Sequence, residues 1–391
     1  MTRVLVAGGG IAGLTLAYWL DRYGIEAVVV ERAAGIRREG YAIDFFGTGF
    51  DVAERMGIAD ALKAKQVPVD RLVYVDETGK TIAVLAIDRM RAMLGGKYAA
   101  LMHHALEQTL FESVERNVEV RFGQSISAIA EMPNGIDVDF EDGHHDRFDL
   151  VVGADGLHSA LRETVLGLER NVLRPLGYAV ATYRVPNRYD LGRTWAMLTA
   201  PGRIIGVYTS DDPASLFAFF FYRTTDSAHV PRAERLACLQ HEFSNIGWIA
   251  GDLLRDGPPG EGIFMDAVAQ IRMPSWSRGR IAFVGDACGC PTLVSGQGAS
   301  LAMGGAYLLA HHLHESADYR TAFERYESFF RPNVEAQQRS AVRFTRQFAP
   351  NTWFGVALQR LLLRVLFRDP FIGLMRGMFD GRSALASSLG S

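Results

Sequence analysis

Cysteine is scarce in this 391-residue chain, which has only Cys238, Cys288 and Cys290. An odd count, with two of the three separated by a single residue, excludes a disulfide framework and fits a reducing cytoplasm. A basic excess is lacking too. The formal net charge is −3, whereas a chain built to bind nucleic acid carries surplus Lys and Arg to displace counterions. No apolar run reaches the ~18–20 residues of a membrane-spanning helix. The opening MTRVLVAGGG is interrupted by glycine too early for a secretory leader. Ser159 lies in no G-x-S-x-G elbow, so a hydrolase is unsupported. His311, His312 and His314 have no Cys or acid cluster at ligand spacing beside them, so they read as a helix-end group and no metal is expected. Cys288-Gly-Cys290 is too closely spaced for an unstrained disulfide and reads as small residues lining a tight turn.

What is present is hydrophobic: 48% of residues, enough for a substantial core. Residues 3–7 (RVLVA) predict a buried strand, 11–23 a helix and 27–31 (AVVVE) a second strand, together one βαβ unit. Residues 48–66 read as a helix from the spacing of Val52, Met56 and Ala59, and 99–116 as another. Residues 70–86 and 126–141 predict hairpins, the first turning near Glu77-Thr78-Gly79 and the second at Pro133-Asn134-Gly135, with a strand at 118–122 between them. DLVVGADG (149–156) and RIAFVGDA (280–287) are buried strands running into glycine. Residues 177–224 are strand-like and rich in aromatics. Residues 232–255, 297–314 and 318–346 read as helices, followed by an apolar-basic helical segment over 353–378 broken near Pro370.

The first turn carries the chemistry. Gly8-Gly9-Gly10-Ile11-Ala12-Gly13 fits G-x-G-x-x-G. Gly8 permits the tight turn, Gly10 lets backbone approach a pyrophosphate, and Gly13 lets helix pack on strand. The helix start then offers free N–H groups at Ile11 and Ala12 and the positive end of its dipole. Glu31, closing the second strand, is placed to bind ribose hydroxyls. This unit alone does not separate FAD from NAD.

Two further segments separate them. Asp149-Leu-Val-Val-Gly-Ala-Asp155-Gly156-Leu-His-Ser159-Ala-Leu-Arg162 resembles the Asp-Gly motif of class A flavoprotein monooxygenases, the p-hydroxybenzoate hydroxylase-like family. Arg280-Ile-Ala-Phe-Val-Gly285-Asp286-Ala287, followed by Pro291 and Gly296-Gln297-Gly298-Ala299, resembles their Gly-Asp motif. The resemblance covers roughly residues 1–345 and is nearest to the tetracycline-inactivating and polyketide-tailoring hydroxylases. It implies an α/β fold with a Rossmann-type FAD-binding domain, an inserted mixed β-sheet substrate domain and C-terminal helices. The FAD domain is expected to be discontinuous over 1–70, 99–170 and 277–345. The substrate sheet takes 71–98 and 171–276, and a C-terminal helical segment takes 346–391.

The resemblance further implies FAD as cofactor and NADPH or NADH as a transient reductant. The reaction implied is hydroxylation of an aromatic or polycyclic, polyketide- or antibiotic-like small molecule by O2 through a flavin C4a-hydroperoxide. A non-redox, FAD-scaffolded cyclase of natural-product biosynthesis is the alternative. Asp155, Asp286, Pro291, Gly296, Gly298 and Ala299 would hold the flavin. Arg32 would flank the adenine, and Arg37 and Asp44 occupy positions resembling those that contact NADPH and FAD. No W-x-W-x-x-P motif points to a halogenase, and no second G-x-G-x-x-G points to a separate nicotinamide domain. The chain is expected to be cytoplasmic, a monomer or homodimer.

The sequence departs from the family in three places. His103 stands where an arginine usually faces the flavin, Gly289 where histidine follows the Gly-Asp motif, and Ser300 where asparagine follows Gly-x-Gly. In the aromatic run, Phe217, Phe219 and Phe221 share one face of a strand and Ala218, Phe220 and Tyr222 the other. One face belongs to the core and one to a substrate pocket. Tyr183, Tyr208, Phe220 and Tyr222 are the candidate pocket residues, although alternation does not say which face is which. Arg343, Arg346, Arg360, Arg364, Arg368, Arg376 and Arg382 outnumber Asp369 and Asp380 near the C-terminus. This pattern reads as a helix packed on the body with its arginines solvated, rather than as a membrane-surface helix.

Overall fold

A computed structural model describes residues 2–36, 41–167, 172–189, 191–210, 212–225, 230–293 and 296–367. Its centre is a six-stranded sheet in the order Ser277–Arg278, Ile281–Phe283, Leu150–Gly153, Arg3–Ala7, Glu26–Glu31, Glu119–Phe122. All neighbours are parallel except the first pair. Val4, Leu5, Val6, Val29, Val151 and Val152 are fully buried. These runs are continuously apolar because both faces of the sheet are covered. On one side lie the helices Ile11–Arg22 and Gly298–Glu315, and the same core takes in Ile136, Val138 and Phe148 of the antiparallel sheet formed by Ile126–Met132, Gly135–Phe140 and His145–Phe148. Burying each such side chain stabilises the fold by roughly 1.5–3 kcal/mol.

A second, seven-stranded sheet runs in the order Phe264–Ile271, Leu173–Pro186, Ser215–Arg223, Arg203–Thr209, Thr194–Ala200, Arg71–Val75, Thr81–Ala86. Every pair is antiparallel except Thr194–Ala200 with Arg71–Val75, so the sheet is mixed. The six-stranded sheet thus draws its strands from three separate stretches of chain, and the seven-stranded sheet from the two stretches between them.

Three sequence expectations need correction. The stretch 48–66 is two helices, Thr48–Met56 and Ala59–Ala64, because Gly57 adopts φ 75 and ends the first with a left-handed cap. The stretch 99–116 begins as a strand, Tyr98–Met102, paired with Ala42–Phe46, and only His103–Val114 is helical. The apolar AALM reads equally as helix or strand, and the partner strand decides. The stretch 232–255 breaks between the helices Arg235–Phe243 and Ala250–Arg255.

The C-terminal helix Trp353–Leu366 packs on the body as expected, and Arg343, Arg346 and Arg364 are exposed. Val356, Leu363, Leu366 and Phe367 lie inward. Arg360 is the exception, half-buried with its Nη2 reaching Glu77 Oε1 at 2.5 Å. Phe354, Leu358, Leu361, Leu362 and Val365 are exposed beside Arg364 and add an apolar stripe to that surface. Arg368, Arg376, Arg382 and Pro370 lie outside the described residues. Among the described residues no helix is long and apolar enough to cross a membrane.

Candidate active site

The glycine-rich turn is built by exclusion. Gly8 sits at φ 118, and a Cβ there would lie 2.5 Å from the Ala154 carbonyl oxygen. A Cβ on Gly13 would lie 1.9 Å from the Gly8 oxygen. Both positions therefore require glycine for backbone-to-backbone packing. Gly10 is the N-cap of the helix Ile11–Arg22, with no side-chain cap and no acid in the first turn. The first N–H groups of that helix are left for an external acceptor. Glu31 is pre-positioned at the adjoining strand end, its Oε2 accepting from Gly9 N–H at 2.9 Å and its Oε1 from Ala33 N–H at 2.8 Å. Arg32 is exposed. Arg37 lies outside the described residues.

Three further carboxylates gather at this end of the sheet. Asp155 Oδ2 accepts from Leu161 N–H at 3.0 Å, while Oδ1 is buried with no hydrogen-bond partner among the described residues. Burial raises the Asp155 pKa against the opposing pull of Ser159 and nearby Arg162. Asp286 follows Gly285, whose φ of 62 and close approach to Ala12 (2.8 Å from a Cβ built there) press the Gly-Asp turn onto the first helix. Burial also raises the Asp286 pKa, opposed by Cys290 and His103. Asp44 accepts from Tyr98 Oη at 2.6 Å and is likewise raised by burial. A Cβ on Gly296 would lie 3.8 Å from the Asp44 Cβ, and one on Gly298 4.0 Å from Asp286 Oδ1, so these groups face one cleft. Half-buried carboxylates beside a glycine cradle, one with an oxygen that lacks a partner among the described residues, are what polyhydroxylated ligands satisfy. The residues fit the FAD expected from the sequence.

The spine of this cleft is an arginine whose role its sequence neighbours do not disclose. Arg162 is fully buried. It donates from Nη1 to the Ala287 carbonyl at 2.7 Å and from Nη2 to the Leu157 carbonyl at 2.8 Å. One guanidinium thus ties the Asp-Gly loop to the Gly-Asp loop. Pro291, also buried, accepts through its carbonyl from Gln270 Nε2 at 2.9 Å. Ala299 is half-buried at the start of the helix Gly298–Glu315. Ser300, the residue that departs from the asparagine pattern, accepts from Gly49 N–H at 2.8 Å and donates to the Phe46 carbonyl, pinning the start of Thr48–Met56. Cys288 and Cys290 are free and buried. Burial pushes the Cys288 thiol up to about 12 and raises Cys290 as well, so neither is a thiolate near neutral pH.

His103 opens the helix His103–Val114. Its N–H donates to the Tyr41 carbonyl at 2.9 Å, and its Nδ1 lies 3.5 Å from Glu107 Oε2. The Tyr41 ring lies 5.5 Å from His103 and 5.4 Å from Phe264, so it joins the cleft to the seven-stranded sheet.

That sheet settles which aromatic face is core. Tyr183, Phe220 and Tyr222 point away from the cleft, under the helices Arg235–Phe243 and Ala250–Arg255. Tyr183 Oη donates to the Leu253 carbonyl at 2.9 Å, and Phe220 and Tyr222 stand 5.1 and 5.9 Å from Phe243. The expectation that these three line the substrate side is therefore corrected. Tyr208 is on the cleft side: its Oη accepts from Ala42 N–H at 3.1 Å, and its ring lies 5.0 Å from Trp195 and 5.3 Å from Phe217. Around it the half-buried Leu72, Tyr74, Trp195, Phe219 and Phe264 share the same face. The histidines near the end of Gly298–Glu315 stack on rings, His311 over Tyr307 and His314 over Tyr23.

Comparison with known proteins bears on the same features. Residues 1–199 match the family model described as FAD binding domain. A flavin-dependent monooxygenase from an unknown prokaryotic organism is 33% identical over 348 residues, 88% of this chain and 90% of that protein. A flavin-dependent monooxygenase of Legionella longbeachae serogroup 1 (strain NSW150) is 32% identical over 349 residues, 88% of this chain and 89% of that one. The crystal structure of tetracycline destructase Tet(55) is similar with a TM-score of 0.85 and 29% identity, covering 98% of both chains.

Proposed function

The chain belongs to the class A FAD-dependent flavoprotein monooxygenases, with their p-hydroxybenzoate hydroxylase-like fold, and on that premise we propose that it uses NAD(P)H and O2 to hydroxylate an aromatic or polycyclic small molecule. The observation that carries the substrate class is the half-buried aromatic face of Tyr74, Trp195, Phe219 and Phe264, joined to the cofactor cleft through Tyr41. A broad apolar wall with few polar groups selects flat, ring-rich ligands. The similarity to a tetracycline destructase supports a polycyclic substrate.

FAD supplies the redox chemistry when bound. In this reading the parts 1–70, 99–170 and 277–345 hold it, and the sheet formed by 71–98 and 171–276 holds the substrate. The N–H groups of Ile11, Ala12 and Gly13 bind the phosphates, Glu31 the ribose, and Asp286 the ribityl hydroxyls. Asp155 keeps its loop against the cofactor, and the backbone from Gly296 to Ala299 faces the ring edge. Trp195, backed by the fully buried Tyr208, orients the substrate and excludes water from the reacting face.

Anaerobic mixing of the yellow protein with NADPH tests the reaction, followed at about 450 nm, the flavin's own band. Bleaching that accelerates with a polycyclic candidate present is the expected result. No bleaching by NADPH or NADH across a panel of aromatic and polycyclic candidates would overturn the reading and favour a non-redox use of the flavin. The pocket has its own test. Trp195→Ala and Phe219→Ala are expected to raise KM about tenfold, the loss of roughly 1.4 kcal/mol of ring contact, with FAD content unchanged. Tyr183→Phe, on the opposite face, is expected to lower Tm slightly and leave KM alone. A KM response to Tyr183→Phe equal to that of Trp195→Ala would place the pocket wrongly.

A further inference from the structure

The cofactor cleft is lined by acids, yet FAD brings a pyrophosphate that carries two further negative charges. A Cβ on Gly10 would lie 3.5 Å from Glu107 Oε1, so a carboxylate stands beside the phosphate-binding corner. Asp286 lies on the neighbouring turn and interacts electrostatically with His103. Among the described residues, His103 is the basic side chain that faces both of these acids, with Nδ1 3.5 Å from Glu107 Oε2. A permanently charged arginine at this position would balance the phosphates at any pH. Histidine does so only when protonated.

We propose that FAD retention by this chain is proton-linked, with protonated His103, held against Glu107 at the mouth of the glycine turn, supplying the positive charge that the pyrophosphate requires. This rests on FAD occupying the cleft and is independent of the substrate assignment. From its own helix the ring faces Glu107, from the Gly-Asp turn Asp286, and from the segment leading into Ala42–Phe46 the Tyr41 phenol. Burial raises the Tyr41 pKa, so that phenol stays neutral. Two effects oppose protonation, namely burial of the ring and the positive end of its own helix dipole. Burial is the largest single influence on the His103 pKa, but the hydrogen bond and charge of Glu107, with Asp286 adding to them, outweigh it and hold the pKa above the usual value.

A bound dianion raises that pKa further. The complex then takes up a proton, and FAD affinity is full below the His103 pKa of the empty protein. It falls as pH rises towards the pKa of the complex and levels off above it.

Free-flavin fluorescence after dilution of the holoprotein, between about pH 6 and about pH 9, reads this directly. The Kd for FAD is expected to rise about tenfold across that range, one pKa unit of linkage. His103→Arg should hold Kd at the low-pH value throughout, and His103→Gln at the high-pH value, both flat. Glu107→Gln should move the wild-type midpoint to lower pH, a response that a merely structural role for the pair would not produce. A flat wild-type profile, or the same slope in His103→Arg, overturns the proposal while leaving the cofactor assignment intact. Failure to hold FAD at any pH would overturn both.

Discussion

Arg162→Leu is expected to destabilise the protein by about 3–5 kcal/mol, the loss typical of breaking a buried, hydrogen-bonded charge site, and to release FAD. The arginine is fully buried, and its two donors hold the Ala287 and Leu157 carbonyls at 2.7 and 2.8 Å. Hydrogen bonds to a charged group are worth about 1.5–3 kcal/mol each, and leucine leaves both carbonyls facing a gap. The change has a functional edge because those carbonyls belong to the two loops that carry Asp155 and Asp286. A thermal melt should show Tm lower by something on the order of 10 °C, with little flavin in the purified protein. Arg162→Lys should recover only part of this, since one ammonium does not reproduce a fork that spans two carbonyls. A leucine variant that melts within a degree or two of wild type and stays yellow would show that the two loops hold themselves.

Gly13→Ala is expected to lower both stability and FAD affinity, the latter by at least about a hundredfold, because backbone displacement from overpacking costs roughly 1–3 kcal/mol or more. The added methyl would meet the Gly8 oxygen at 1.9 Å, and Gly8 is itself wedged against Ala154. Neither partner is a side chain that turns aside. Gly10→Ala makes the informative contrast. Its nearest neighbour, Glu107 Oε1, is 3.5 Å away, an ordinary contact, so the fold accommodates the methyl. The methyl nevertheless stands where phosphate must come close to backbone. Gly10→Ala should therefore keep its Tm and weaken FAD, whereas Gly13→Ala loses both. Equal Tm values for the two variants would contradict the packing argument, and unchanged FAD affinity in Gly10→Ala would contradict the phosphate assignment. Absorbance of bound flavin and differential scanning calorimetry read the two properties separately.

The legible part of the site is the part made of glycine and acid at strand ends. The Gly8–Gly13 turn, Glu31, Asp155 and Asp286 each sit where a buried apolar strand runs into a loop, and such runs announce themselves by composition. Strand alternation likewise separated Phe217, Phe219 and Phe221 from Phe220 and Tyr222. The choice between the two faces did not follow, because it depends on helices more than ten residues further along the chain closing over one of them. Arg162 was invisible for a related reason. Its function lies in two carbonyls, and backbone acceptors leave no trace in a sequence. Tyr41 and Glu107 acquire their places only when the strand Tyr98–Met102 pairs with Ala42–Phe46 and sets His103 at a helix start.

By itself, then, the sequence determined a dinucleotide cradle, the order of its three motifs and the presence of a two-faced aromatic sheet, because each of these is written in local spacing. Only the tertiary structure decided which aromatic face meets the cleft, which arginine joins its two loops, which carboxylates surround His103 and which side of the C-terminal helix faces water. Those outcomes depend on contacts between segments far apart in the chain, whose energies come from burial and charge pairing across the fold, not from the residues next in line.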